Sequence, residues 1–365
     1  MKRTPLLEEH ARLGAKLVEF AGWEMPLYYA GIVREVEVVR SAAGVFDVSH
    51  MGELIVCGAG ALDLVQYVTT NDASSLEVGK AQYTLLCDDE GGVIDDLIVL
   101  RLEEDEYLLV VNASNTEADR EWIRGHNRFR AELRDLSGER AIIALQGPAS
   151  QGILRRFVES DLTTLRKMHA IHERVGEVDA WISRSGYTGE DGFELFCASS
   201  DAVALWRLIL EDGAARPAGL GARDVLRIEA GLPLYGHELT RGTTPVDARL
   251  MWVVHLDKGE FLGRRALLDA RERGPDRTLV GLSAEGRCIP REGHIVSADG
   301  APVGHVTSGT YSPTLEKSIA MAYVHPEKAE VGLRVEVDVR GRPCPCRIVS
   351  MPFYKAAKAV STVTK

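Results

Sequence analysis

Two adjacent carboxylates, Asp95 and Asp96, interrupt an apolar run that extends from Val93 to Val99. Successive side chains of a strand point to opposite faces, so we expect one carboxylate to face solvent and the other an interior or a cleft. A carboxylate in apolar surroundings is unfavourable unless it is paired or hydrogen-bonded. The pair therefore indicates either a group that performs acid–base or electrostatic chemistry, or a structural ion pair with an arginine near the turn.

A second acidic group stands in the glycine-marked stretch Arg184–Leu195, where Glu194 lies between apolar neighbours. Glycine adopts positive φ without steric cost and lets a backbone approach a ligand closely. The alternative is a tight hairpin in which Glu190 and Asp191 form the turn and are simply solvated.

A cation opens a predicted helix over Gly221–Ala230, where Arg223 lies in the first turn. A positive charge is mildly unfavourable at that end of a helix dipole. Arg223 is therefore expected to bind an anionic or carbonyl group, unless the neighbouring Asp224 is its partner.

Other chemistries find little support in the motifs. The chain has no G-x-S-x-G element, and His169 and His172 have no further ligands nearby that would complete a metal site. The six cysteines are scattered apart from Cys344 and Cys346, and we expect all six to be reduced.

Composition limits the class of protein. The chain has 365 residues, 45% hydrophobic and 27% charged, which is typical of a globular protein with more than one domain. A net charge of −11 argues against nucleic-acid binding. No apolar run reaches the length of a membrane span and the first residues lack a secretory signal, so a cytoplasmic location without membrane attachment is expected.

Short apolar runs separated by hairpin turns predict an α+β protein with antiparallel sheets. Helices are predicted over Asn115–Asn127 and Ala202–Asp212, besides the one that carries Arg223. A charged run at Asp269–Asp276 predicts a boundary between residues 1–272 and residues 273–365, and the short β runs after it predict a small barrel or sandwich.

Five segments together resemble the aminomethyltransferase (T-protein) family of the glycine cleavage system, in the family's order along most of the chain. They are Phe20–Pro26, Phe46–Gly52, Gly91–Val99, Gly186–Leu195 and Gly219–Gly236. Met351–Tyr354 resembles the family's carboxyl-terminal signature, whereas Val36 stands where a histidine is expected.

The resemblance implies a three-domain folate-binding fold: two interleaved subdomains in residues 1–272 and a carboxyl-terminal β-barrel in residues 273–365. It implies tetrahydrofolate as co-substrate, no metal, and the lipoylated H protein as partner. The implied reaction converts the aminomethyl-lipoyl arm of H protein to 5,10-methylenetetrahydrofolate, ammonia and the dihydrolipoyl arm.

The resemblance also implies roles for individual residues. Asp96 matches the catalytic aspartate, with Glu194 on the donor edge of the pterin and Arg223 as a further folate contact. The remaining matches are implied to line the folate pocket: Met51, Tyr83, Asn112, Tyr187, Tyr235, Trp252 and Tyr354. For Met51 and Trp252, filling the core is an equally good interpretation.

Three rival readings remain. The first is a folate-binding relative with other one-carbon chemistry, such as a demethylase. The second is a non-catalytic folate-binding protein of the iron–sulfur maintenance type, whose K-G-C-x-G-Q-E-like motif is absent from the sequence. In that second reading Asp96 would be idle. The third is a pure interaction protein, which the three matched pocket segments argue against.

Overall fold

The computed structural model describes residues 1–356. Its helices are α1 (Leu7–Arg12), α2 (Ile32–Ser41), α3 (Ala61–Val68), α4 (Thr116–Gly125), α5 (Ser150–Leu154), α6 (Ala202–Leu210), α7 (Leu220–Glu229) and α8 (Arg264–Arg273). The three helices predicted from the sequence correspond to α4, α6 and α7. Gly231 follows α7 with a positive φ of 65°, the conformation that favours glycine just past a helix end.

The strands are short, and hairpins join many of them. They are β1 (Lys2–Arg3), β2 (Lys16–Phe20), β3 (Trp23–Tyr28), β4 (Gly44–Asp47), β5 (Gly52–Cys57), β6 (Ala81–Cys87), β7 (Val93–Glu103), β8 (Glu106–Val111), β9 (Glu132–Asp135), β10 (Arg140–Gln146), β11 (Ala170–Val175), β12 (Val178–Ser183), β13 (Gly192–Ala198), β14 (Arg216–Pro217), β15 (Thr278–Ala284), β16 (Ile295–Ala298), β17 (Ala301–Ser312), β18 (Lys317–Val324), β19 (Arg334–Val339) and β20 (Arg342–Val349).

Within residues 1–356 these strands form three sheets and a closed barrel. The sheet orders are β1-β3-β2, β11-β12-β13-β10-β4-β14 and β6-β7-β8-β5-β9, and the barrel order is β15-β18-β17-β16-β19-β20. The pairs β1–β3 and β4–β14 are parallel and the other pairs are antiparallel, so the predicted α+β class with antiparallel sheets is confirmed.

The hairpin of β6 and β7 sets the position of the acidic pair. Asp88 begins the turn, accepting a hydrogen bond from the Gly92 amide at 2.8 Å, and Gly91 has a φ of 84°. The resulting register places Leu85 opposite Asp96. Turn residues near one end of the hairpin thus decide which of the two aspartates faces each side of the sheet.

The five-stranded and six-stranded sheets share one apolar core. Ile55 of β5 and Leu108 of β8 pack in the same buried cluster as Phe46 of β4, Ile142 of β10 and Phe196 of β13. Helices α2 and α7 cover the same cluster. Residues carried by either sheet can therefore reach a cavity that opens at this interface.

The barrel lies against α7, because Arg227 of that helix donates to the hydroxyl of Ser308 in β17 at 2.7 Å. The barrel predicted for the carboxyl-terminal region is confirmed. The first part of the charged run Asp269–Asp276 forms the end of α8, residues 274–276 follow that helix, and the barrel begins at Thr278. The division at residues 272 and 273 stays a prediction.

The expectation that all six cysteines are reduced is wrong for the barrel. Cys288 and Cys344 form a disulfide, with Cα atoms 5.9 Å apart. Although 56 residues separate the two cysteines in the sequence, the closure of the barrel brings their backbones within bonding range. Cys57, Cys87, Cys197 and Cys346 are free and buried.

Candidate active site

Two adjoining cavities open where the sheets and α7 meet. The inner cavity has a volume of about 140 Å³ and the outer cavity about 780 Å³. Met51, Asn112, Tyr187 and Arg223 line both, so the cavities are continuous. The outer cavity also receives Arg291 and Tyr311 from the region of the barrel.

Asp96 lies in the wall of the inner cavity and is held by two neutral donors. The Tyr83 hydroxyl donates to Asp96 Oδ2 at 2.9 Å, and Asn112 Nδ2 donates to Oδ1 at 3.0 Å. Burial and the charge of Asp95 raise the pKa of Asp96 to about 7. A carboxylate with this pKa changes its protonation near neutral pH, as acid–base and electrostatic catalysts do.

Asp95 points to the other face of β7 and is fully buried. It accepts hydrogen bonds from the Asn112 amide at 2.9 Å, from Asn112 Nδ2 at 2.8 Å and from Asn115 Nδ2 at 2.8 Å. The expectation that one member of the pair faces solvent is therefore wrong. Within residues 1–356 neither aspartate forms an ion pair with an arginine, so the alternative structural reading fails as well.

Glu194 lines the inner cavity from β13. The Ser185 hydroxyl donates to Glu194 Oε2 at 2.5 Å and lies 2.8 Å from the Ser183 hydroxyl. Residues 184–191 connect the antiparallel strands β12 and β13 as a long loop and not as a tight turn. The acids of this loop are not simply solvated, because Arg184 pairs with Asp191 at 2.6 Å and Arg40 pairs with Glu190 at 2.9 Å. These pairs leave Glu194 as the acid that this segment presents to the cavity.

Arg223 projects from the first turn of α7 into both cavities. Its guanidinium lies 4.6 Å from the ring centre of Tyr187, and burial lowers its pKa. Asp224 is not its partner, since Asp224 pairs with Arg227 at 2.8 Å. In the described chain no carboxylate forms an ion pair with Arg223, which leaves its donors available to a ligand.

His50 lies beside Arg223 at the outer cavity. Burial and the Arg223 charge lower the pKa of His50 to about 4, so its ring is neutral at physiological pH. Its Nδ1 is buried without a partner in residues 1–356. The sequence indicated no role for this histidine.

The other predicted pocket residues lie in four different places, of which Tyr354 occupies the last. Tyr83, Asn112, Met51 and Tyr187 join the inner cavity, whereas Tyr235 lines the outer one. Trp252 is 67% exposed and stacks on Tyr83 at 6.0 Å between ring centres, so it lies beside the site and fills no core.

Tyr354 is the predicted pocket residue that the structure places elsewhere. Its ring covers the Arg40 guanidinium at 4.0 Å, and it lines a separate pocket with Arg184 and Lys355. It joins neither the inner nor the outer cavity.

The longest helices of the described chain have ten residues, and none is long and apolar enough to cross a membrane. In residues 1–356 no group of three or more histidine, cysteine and acidic side chains is arranged to hold a metal ion.

Two family models together account for most of the chain. The model described as "GCVT N-terminal domain" matches residues 6–258, and the "Glycine cleavage T-protein C-terminal barrel domain" matches residues 277–355. The chain belongs to the glycine cleavage T-protein family.

Full-length relatives agree with this assignment. An aminomethyltransferase of Geobacillus kaustophilus is 51% identical over 363 residues, covering 98% of this chain and 100% of the relative. One from Thermus thermophilus is 52% identical, covering 97% and 99%. The crystal structure of glycine cleavage system aminomethyltransferase T from Bartonella henselae is 37% identical, with a TM-score of 0.92 over 97% of this chain and 98% of that one.

Sequence reasoning missed one residue of the site's support, Asp119. It lies on α4 four positions after Asn115 and is fully buried. Residues four apart on a helix share a face, so the pair Asn115 and Asp119 in the predicted helix was a usable signal. What the sequence did not show is that this face packs against Asp95.

Proposed function

We propose that this aminomethyltransferase binds tetrahydrofolate across the inner and outer cavities and accepts the one-carbon unit from the lipoyl arm of H protein. The observation that best supports this proposal is that the inner cavity is lined by three charged residues from segments far apart in sequence: Asp96, Glu194 and Arg223. The products are 5,10-methylenetetrahydrofolate, ammonia and dihydrolipoyl H protein.

The chemistry of the cavity fits a pterin at its inner end. The 2-amino and N3–H groups of a pterin are parallel donors, and Glu194 offers a carboxylate that can accept both. Arg223 is a donor without an ion-pair partner in the described chain and suits the acceptor side of the ring. The apolar and aromatic lining, including Met51 and Tyr187, suits the flat faces of the ligand.

Asp96 is the group placed to act on the reacting nitrogens. Its ionised form stabilises positive charge that develops while the one-carbon unit is transferred, and Tyr83 and Asn112 hold that form in position. H protein would approach through the wider outer cavity. The net charge of −11 argues against a nucleic-acid partner, and a cytoplasmic location stays a prediction.

The decisive experiment is single-turnover release of ammonia from aminomethylated H protein, with and without tetrahydrofolate. We expect Asp96→Asn to lower the folate-dependent rate by about 100-fold or more, with folate binding retained. Asp89→Asn is the matched control, since it removes a charge from the exposed turn of the same hairpin.

Folate-dependent release that survives in Asp96→Asn would contradict the role of Asp96. Tight folate binding to the wild-type enzyme, with no stimulation of ammonia release, would contradict the proposed transfer and favour the demethylase or non-catalytic reading.

A further inference from the structure

Asp119 is a buried acid that has no conventional hydrogen-bond donor. The residue is 0% exposed, and neither carboxylate oxygen meets a donor in residues 1–356. Asn115, four positions earlier and on the same face of α4, donates to Asp95 Oδ1 at 2.8 Å, and this packing brings the Asp119 carboxyl group against Asp95. Because two ionised carboxylates both lack a donor, such a contact is favourable only when one of them carries a proton.

The surroundings decide which of the two acids holds the proton. Asp95 accepts three N–H groups, two from Asn112 and one from Asn115. Donors stabilise the ionised form of a carboxyl group, whereas a buried carboxyl without donors favours its neutral form. The negative charge therefore belongs on Asp95 and the proton on Asp119.

No nearby cation reverses this assignment. The ionisable groups that face Asp119 are two aspartates of β7, one arginine and one tyrosine: Asp95, Asp96, Arg241 and Tyr235. Arg241 is 55% exposed at its side chain, and its ion-pair partner is Asp88 at 3.9 Å. Burial and the charge of Asp95 outweigh it and raise the pKa of Asp119 to about 10.

We propose that Asp119 is a neutral positioning residue, which donates a hydrogen bond to Asp95 and through Asn112 fixes the carboxylate of Asp96. Asn112 provides the connection because its Nδ2 donates both to Asp95, at 2.8 Å, and to Asp96, at 3.0 Å. With Asp95 held by Asp119, the Asn112 amide donates one N–H group to Asp95 and keeps the other toward the Asp96 carboxylate. The protonation of Asp119 does not depend on the proposed function. Only its effect on the reaction, through Asp96, rests on that function.

The first test is made on the free protein. At a pH above about 7 and below about 10, Asp96 is ionised and Asp119 is neutral. We expect the infrared spectrum to show the C=O stretch of a buried protonated carboxyl group, which disappears in Asp119→Asn and persists in Asp96→Asn. Glu117→Gln, an exposed site on the same helix, is the control. A spectrum that Asp119→Asn leaves unchanged would overturn the proposal, whatever the enzyme's activity.

The second test compares a conservative variant with an apolar one in the ammonia-release assay. Asp119→Asn keeps a neutral donor of similar size, so we expect its rate within about twofold of wild type and the acidic limb of its pH profile unmoved. Asp119→Leu keeps volume but removes the donor, and we expect a loss of about tenfold or more.

Two results of this assay count against the proposal. If Asp119 were ionised in the wild type, Asp119→Asn would remove a negative charge beside Asp96 and move the acidic limb to lower pH by about one unit. A folded Asp119→Leu that is as active as wild type would also overturn it. If Asp119→Leu does not fold, the infrared signal and the acidic limb of Asp119→Asn decide the question.

Discussion

Two buried polar clusters of this protein are built in opposite ways. The carboxylate cluster, Asp95, Asp96 and Asp119, contains three acids and only neutral donors. In the ionic junction, formed around Arg40 and Arg227, each buried glutamate is paired with an arginine. Arg40 binds Glu190 and Glu229 at 2.9 and 2.6 Å, and Arg227 binds Glu238 at 2.8 Å.

The two clusters use buried charge differently: one stabilises the fold, and the other has a carboxyl group with a shifted pKa beside a cavity. In the ionic junction, hydroxyl groups complete the pairs, as when Thr307 donates to Glu238 at 2.6 Å. In the carboxylate cluster, burial and the charge of Asp95 raise the pKa of Asp96 into the physiological range. A cluster in which each acid has an arginine partner holds elements together, whereas a cluster of acids without a cation, beside a cavity, is available for reaction.

Breaking the ionic junction should have the largest effect on stability. We expect Arg40→Met to lower the free energy of unfolding by about 3–5 kcal/mol, because it leaves the buried Glu229 and Glu190 without their cation. Urea unfolding measures this loss. Arg265→Met, which removes an exposed ion pair with Asp269, should change stability by less than about 0.5 kcal/mol. Equal losses in the two variants would show that the junction contributes no more than a surface pair.

Removing a charge from the carboxylate cluster should instead increase the free energy of unfolding. The folded-state pKa of Asp96 is about 7, above its ordinary value of 3.8, so folding favours the protonated form. Ionisation therefore destabilises the folded protein increasingly as pH rises between these values, and the penalty is constant above them.

We therefore expect Asp96→Asn to be more stable than wild type by roughly 1–3 kcal/mol above pH 7, and equal to it near pH 3. Urea unfolding at both pH values measures the difference. A variant that is less stable than wild type above pH 7 would show that the ionised cluster stabilises the fold.

The pH dependence of the reaction tests whether the carboxylate cluster, unlike the ionic junction, takes part in the chemistry. The proposed function makes ionised Asp96 the active form, so the ammonia-release rate should fall as pH decreases through about 7. The Tyr83 hydroxyl lowers the pKa of Asp96, so Tyr83→Phe should raise that pKa and move the acidic limb upward by up to about one unit. Tyr67→Phe is the control, since Tyr67 packs on Phe129 and lines neither cavity. A limb that moves to lower pH in Tyr83→Phe would contradict this account.

The smallest effect is expected at Tyr354, which the family resemblance implied as a folate contact. Because it covers Arg40 at the ionic junction and lines neither cavity, Tyr354→Phe should change tetrahydrofolate affinity by less than about twofold. Equilibrium binding to the free enzyme measures this affinity. A tenfold weaker complex would place the ring in the ligand site.

The sequence was informative where local chemistry decides local structure. The helices predicted over Asn115–Asn127, over Ala202–Asp212 and around Arg223 all form, because apolar periodicity is a local property of the chain. Family resemblance, and not spacing, indicated that Asp96, Glu194 and Arg223 share a ligand. All three line the inner cavity.

What the sequence did not show depends on long-range packing. Asp119 meets Asp95 only because α4 packs on the far side of β7, and Cys288 meets Cys344 only because the barrel closes. The pairing of Glu190 with Arg40 bridges 150 residues. Contacts of this kind leave no periodic signal in the chain.

Helix α7 has a consequence for how this protein can be rebuilt. Its ten residues carry Arg223, which lines the cavities, and Arg227 and Glu229, which bind Ser308 and Ser312 of the barrel. The first turn of α7 thus faces the cavities, and its last two turns face the barrel. In a chimera between relatives, the barrel should therefore be exchanged together with α7. A junction after Gly274 would separate Ser308 and Ser312 from the α7 side chains that bind them.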